Sequence, residues 1–241
     1  MTRADIRASA PRSAEKRVCR QNGTVPAIYC SSKSGATSDE KATVSGHGGA
    51  RLRADRTSDH LSFKQVRAIM LASLAAEHIG KSFTRMVTVH WERAGIPDAA
   101  AANATGRLTK LMSDWARRRG ARILWAWTRE NDKGKGSHLH MLIACPRHLP
   151  IGRMWRRWLR SITGRPYRAR VINTQRIGGA LSAPITNPAA YHQHLFNAVA
   201  YVCKGVRPEE AAGLGILRTE FGGRVIGKRS SVCPALWKLC R

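Results

Sequence analysis

The apolar positions along the chain fall into runs of two periods. From Ser62 onward, Phe63, Val66, Ile69, Met70, Leu74 and Ala75 recur at three- and four-residue steps, the spacing of an amphipathic helix. Phe83 to Trp91 reads as a strand, with β-branched residues at its centre. Over 98–119, Leu108, Leu111, Met112 and Trp115 mark one face of a second helix, with Gly120 as its expected stop. Two further apolar runs, 122–130 and 137–144, flank the polar, glycine-rich segment 131–136 and predict a β-hairpin. Residues 150–161 predict a short helix with Trp155, Trp158 and Leu159 inward and Arg153, Arg156, Arg157 and Arg160 outward. Tyr167 to Val171 reads as another strand and 175–187 as loop. Asn187-Pro188 then opens a helix, Asn as N-cap and Pro at the first helical position, which Gly205 is expected to close. This order of elements predicts an α+β fold: a central, mostly antiparallel sheet with helices packed on it, chiefly on one face.

Outside these runs the pattern fades. Residues 1–60 are rich in Arg, Lys, Ser, Gly, Ala and Thr and show no sustained period. They are expected to be a disordered basic N-terminal arm, able to hold DNA loosely. Residues 61–210 form the expected folded domain, and 211–241 a basic C-terminal extension. Lys and Arg number 42 against 15 acidic residues, a net charge of +27. Solubility needs far less, so a polyanionic partner is expected, nucleic acid before any other. There is no run of about 18 apolar residues and no apolar signal core after Met1, which argues against a membrane span or secretion. Six scattered cysteines without a Cys-x-x-Cys pair suggest neither a zinc knuckle nor a disulfide framework. The expected location is therefore a reducing interior, the cytoplasm of a bacterial host.

The densest chemistry lies in the hairpin. His138 and His140 flank Leu139, and alternate side chains of a strand share a face. If Glu130 pairs opposite His138, then Glu130, Thr128 and Ala126 lie on the face of His138, His140 and Leu142. Two imidazoles and a carboxylate would then converge on a divalent metal and leave positions open for a substrate. Such a histidine pair can also be half-buried without any metal. On the helix 188–204, Asn197, Tyr201 and Lys204 form a polar stripe, with His194 one turn earlier and Leu195, Val199 and Val202 turned toward the sheet. A tyrosine with a reference pKa of about 10 is a poor nucleophile unless a cation, a base or a polarised electrophile is near. Lys204 is placed to offset charge on its oxygen or on a phosphate. The bland reading of Tyr-x-x-Lys is a surface pair.

Together, the strand Val87 to Trp91, Glu130, the pair His138-Leu139-His140 and the segment Tyr201 to Lys204 resemble the HUH endonuclease superfamily. Within it, the chain looks most like the single-tyrosine rolling-circle replication initiators of small plasmids and filamentous phages, over roughly 83–205. The resemblance implies that 61–210 is an endonuclease domain and that 86–91 is a central strand beside the metal. It implies Mg²⁺ or Mn²⁺ on Glu130, His138 and His140, with Tyr201 as nucleophile and Lys204 beside it. The implied substrate is single-stranded DNA or a supercoiled replication origin, nicked through a 5′-phosphotyrosine.

His90 stands where many relatives carry threonine or another polar residue. Tyr191 precedes Tyr201 by ten residues, which turns it about 80° away on a helix, and no lysine follows it at the matching offset, so one nucleophile is expected. Gly222 to Arg229 approaches a phosphate-binding loop, but Arg229 replaces the required hydroxyl and only 12 residues follow it. Strand separation is then left to a host helicase or to supercoiling. A transposase or relaxase of the same superfamily would use the same residues, and a non-catalytic basic DNA-binding protein would share the composition.

Overall fold

Burial of one hairpin on both of its faces organises the chain. The computed structural model describes residues 56–240. In chain order the elements are β1 (Thr57–Ser58), α1 (Phe63–His78), β2 (Arg85–His90), α2 (Asp98–Arg117), β3 (Leu124–Asp132), β4 (Gly136–Ala144), α3 (Trp155–Thr163), β5 (Ile172–Arg176), α4 (Ala183–Thr186), α5 (Pro188–Val202), α6 (Pro208–Ala211), β6 (Val225–Ile226), β7 (Ser230–Val232) and α7 (Pro234–Leu239). The main sheet has five strands in the order β5-β2-β4-β3-β7, antiparallel throughout, and β1 pairs with β6 in a separate ribbon. The α+β class read from the sequence is the class of the structure.

Helices cover both faces, not chiefly one. Val87, Val89, Leu139, Met141 and Ile143 pack with α2 and α3, while Leu124, Ala126, Leu142 and Ala144 pack with α1, α5 and α7. The reason lies in β4: from Ser137 to Ala144 every residue is buried, so neither face can be left to water. Ser62 starts α1 with a reciprocal capping box with Gln65, its hydroxyl accepting from the Gln65 amide and the Gln65 side chain accepting from the Ser62 amide. Asn187 caps α5 through its side chain, which accepts from the Ala190 amide at 3.3 Å.

Three boundaries differ from the sequence reading. The fourth of the expected strands lies at 172–176 rather than 167–171, because Arg170 takes a left-handed turn (φ 63°) before the chain reaches the sheet. As an edge strand with four of its five residues exposed, β5 has no apolar alternation to betray it. Helix α2 ends at Arg117, ahead of Gly120, and α5 ends at Val202, ahead of Gly205. Residues 211–240 are no appendage, since Ser230–Val232 is the fifth strand and α7 packs its Leu236 into the core.

Of the expected basic arm, all but its last five residues lie outside the described residues. Those last residues are held: β1 pairs with β6, and the Leu61 amide donates to the Gly205 carbonyl at 2.8 Å. A buried arginine ties the late strands to the hairpin. Arg129 is fully buried and donates to the carbonyls of Asp98, Ile226 and Lys228 at 2.9, 2.9 and 3.2 Å, and pairs with the Asp98 carboxylate. The other Asp98 oxygen accepts from the Ile226 amide at 2.6 Å. Burial alone lowers the Arg129 pKa, and Asp98 opposes that by supplying the counter-charge.

Leu142→Ala, at a fully buried position facing α1 and α5, should cost about 2–5 kcal/mol. Urea unfolding should show a lower midpoint with an unchanged slope.

Candidate metal centre

Strand register sets the site. Glu130 pairs opposite His138 across β3 and β4, and His138 opposite His90 across β4 and β2. The next row in is polar across all five strands: Ser230, Thr128, His140, Thr88 and Asn173. Directly opposed residues share a face, so the two rows meet on the α5 side of the sheet. A three-residue turn with Gly136 at φ 65° closes the hairpin and keeps this register.

Glu130, His138 and His140 are each almost fully buried, and their ligand atoms lie within 4.8 Å of one another. This group can hold a metal ion. Hydrogen bonding decides which ring nitrogens are free. His138 Nδ1 lies 2.8 Å from the Gly136 carbonyl, which can only accept, so Nδ1 carries the proton. In the neutral ring, Nε2 then presents a lone pair 3.1 Å from Glu130 Oε2. Two acceptors at that distance need a cation between them, either a second ring proton or a metal. His140 Nδ1 is 3.0 Å from the Thr88 hydroxyl, while its Nε2 is buried, makes no hydrogen bond and sits 3.5 Å from Glu130 Oε2. Glu130 Oε1 is also buried without a partner. These orphaned atoms fit a bound cation, with Gly136 and Thr88 fixing the rings from behind.

The end of α5 lies against this cluster because Thr128 donates its hydroxyl to the Val202 carbonyl at 2.8 Å. That places Tyr201 edge-on to His140, with ring centroids 5.0 Å apart, and leaves Tyr201 40% exposed. Lys204 follows the helix rather than riding on it. It is 4% exposed, with Nζ 2.7 Å from Glu130 Oε2, 2.8 Å from Glu220 Oε2 and 5.3 Å from the centre of the Tyr201 ring. Burial disfavours the ammonium, but hydrogen bonds and charge from Glu130 and Glu220 outweigh it and raise its pKa. Burial likewise works to raise the Glu130 pKa, and the close approach of His138, His140 and Lys204 overcomes it, holding the carboxylate well below its usual range.

Glu220 was not singled out from the sequence. It sits in a loop without periodic pattern, and only its position 16 residues after Lys204 in a charged stretch marks it. Tyr191 belongs to the core. It is 1% exposed, its hydroxyl donates to the Phe83 carbonyl at 2.8 Å, and burial raises its pKa. His194 and Asn197 are exposed on α5, away from this buried cluster. His90 is half-buried with its ring centroid 5.6 Å from that of His138, and burial, with the neighbouring histidine charge, lowers its pKa to about 4. Arg229, in the loop-like sequence near the end, is buried and donates to the Ser58 and Gly223 carbonyls at 2.6 and 3.0 Å, a structural role.

Comparison of the chain with protein-family models, with curated proteins and with solved structures returns no match.

Calorimetric titration with Mn²⁺ should show one site per chain, lost in Glu130→Gln and in His138→Ala. Thr88→Val removes the partner of His140 Nδ1 and should weaken binding by about 10–100-fold. Acid should destabilise the metal-free protein. His90 and His140 have folded pKa values below those of the unfolded chain, so their contribution is complete above about pH 6.5 and is lost as pH falls, for His90 until about 4. The depressed Glu130 acts in the same direction, its contribution disappearing below its unfolded value of about 4.5. Melting temperatures measured from pH 8 to pH 4 should therefore decline through this window, and a flat profile would contradict the assignment.

Proposed function

We propose that the protein is a metal-dependent, site-specific endonuclease and ligase for single-stranded DNA, using Tyr201 as nucleophile. The observation that carries this reading is the half-exposed tyrosine set directly against a buried two-histidine, one-carboxylate cluster. A core tyrosine would be covered, as Tyr191 is. Glu130, His138 and His140 would hold Mg²⁺ or Mn²⁺, which when bound supplies Lewis-acid polarisation of a phosphate oxygen. The Tyr201 oxygen loses its proton and attacks phosphorus. A bond forms between that oxygen and phosphorus, and the bond from phosphorus to the 3′-oxygen breaks. The 3′-oxygen takes up a proton, leaving a free 3′-hydroxyl and a 5′-phosphotyrosine. Lys204 offsets the negative charge that grows on the transferred group. The covalent link stores the phosphodiester energy, so a later 3′-hydroxyl can displace Tyr201 and reseal the strand.

The charge distribution supports a DNA substrate. A cavity of about 1360 Å³ at the far end of the hairpin is lined by Lys81, Arg117, Arg122, Arg147 and Lys238 and by no acidic residue. Among the described residues, only Arg117 of these five has an ion-pair partner, Asp114. Unpaired cations around a concavity suit a phosphodiester backbone. Trp127, Trp155 and Trp158 are core residues, which leaves half-buried Trp125 as the base-stacking surface in that cavity. Start of rolling-circle replication, with a host helicase separating the strands, is the biological role that accords with this chemistry and with the resemblance of the motifs.

Incubation with Mn²⁺ and circular single-stranded or supercoiled DNA, followed by a denaturing gel, tests the reading. Wild type should yield protein-linked DNA, and Tyr201→Phe should yield none while keeping its DNA affinity within about twofold. DNA from a replication origin should be nicked in preference to mobile-element ends. An adduct that persists in Tyr201→Phe would reject Tyr201 as nucleophile, and absence of any adduct would leave a basic DNA-binding protein.

A further inference from the structure

Lys204 and a metal would make competing demands on one carboxylate. Glu130 Oε2 accepts from Lys204 Nζ at 2.7 Å, and the same atom is the one that His138 Nε2 and His140 Nε2 approach, at 3.1 and 3.5 Å. A dication held by His138, His140 and Glu130 would bring two positive charges beside the ammonium. Lys204 must then find its counter-charge elsewhere or oppose the metal. Glu220 is the one carboxylate other than Glu130 that touches it, among the described residues. Glu220 Oε2 lies 2.8 Å from Nζ, and the Glu220 amide also donates to the Lys204 carbonyl at 2.9 Å, so side chain and backbone hold the lysine together. Its second oxygen is paired with Arg218 at the surface, and it makes no contact with either imidazole of the cluster.

We propose that Glu220 is a positioning residue that receives Lys204 when a divalent cation takes over the charge of Glu130. An ammonium has three donors, and two of them already span Glu130 and Glu220, so the handover needs only a change in which bond is the shorter. The result keeps a positive charge beside Tyr201 while the metal site is filled. Without Glu220 the ammonium clings to Glu130 and opposes cation binding. This inference rests on the metal-site reading above but not on the nicking reaction.

The test is a double-mutant cycle on Mn²⁺ affinity, measured by calorimetry on the full chain. Glu220→Gln should weaken binding about tenfold, and Glu220→Asp should restore most of the loss. In a Lys204→Met background the same Glu220→Gln change should alter affinity by less than about twofold. An equal loss in both backgrounds would make Glu220 a remote charge or a structural prop and overturn the proposal. No effect of Glu220→Gln would overturn it as well. If wild type binds no Mn²⁺, the metal-site reading itself fails and takes this inference with it. Should the Lys204 variant not fold, crystals of wild type with and without Mn²⁺ decide the point. Lys204 should sit nearer Glu220 than Glu130 in the loaded form, and unchanged distances would refute the handover.

Discussion

A buried carboxylate sets the terms for the rest of this structure. Glu130 is 2% exposed, and an ionised group at that depth survives only with positive charge or hydrogen-bond donors around it. Lys204 supplies charge from the chain that follows α5, and His138 lies against the same oxygen from the neighbouring strand. Because the requirement is met by residues from two places, it also fixes where those places are. The end of α5 is drawn to the hairpin, the Thr128 hydroxyl secures the Val202 carbonyl, and the loop bearing Glu220 closes behind the lysine. Removing one member of such a group costs more than the pair contributes, since a charge is left without compensation.

The same rows of the sheet serve packing and chemistry side by side. Moving along β4, Leu142 and Ala144 belong to the apolar layer beneath α1 and α5, whereas His140 and His138, on the same face, belong to the polar end. The opposite face, with Leu139, Met141 and Ile143, carries the buried Arg129–Asp98 pair near the turn and is otherwise apolar and sealed by α2 and α3. A rigid, doubly covered strand gives its ligands little freedom to adjust, which suits a group that must converge to within hydrogen-bond distances.

Much of this was readable in advance, and the limits have physical causes. Register between Glu130 and His138 followed from hairpin length, because period-two alternation and a short glycine-rich turn leave few pairings. Helices with strong apolar stripes, such as α1 and α3, were legible for the same reason. Strand β5 was misplaced because an exposed edge strand carries no apolar signature, and Lys204 was placed on the helix because its spacing continued the stripe past a cap that no glycine marks. Glu220 was invisible, since nothing local connects a loop glutamate with a lysine in an earlier turn. Coverage of both sheet faces was written in the unbroken burial of β4, but an apolar run of that kind does not say what covers it.

The order in which the chain is made gives the late segment a further meaning. Both histidines, Glu130, Tyr201 and Lys204 leave the ribosome before Glu220, and the strand Ser230–Val232 that closes the sheet comes later still. Until the later segment is in place, Lys204 lacks its second counter-charge and β3 has an unpaired edge. The long-range pairing of β3 with β7 is the slow kind of contact, and it comes last. Balance of charge at the centre thus waits on a segment that follows Glu130 by 90 residues.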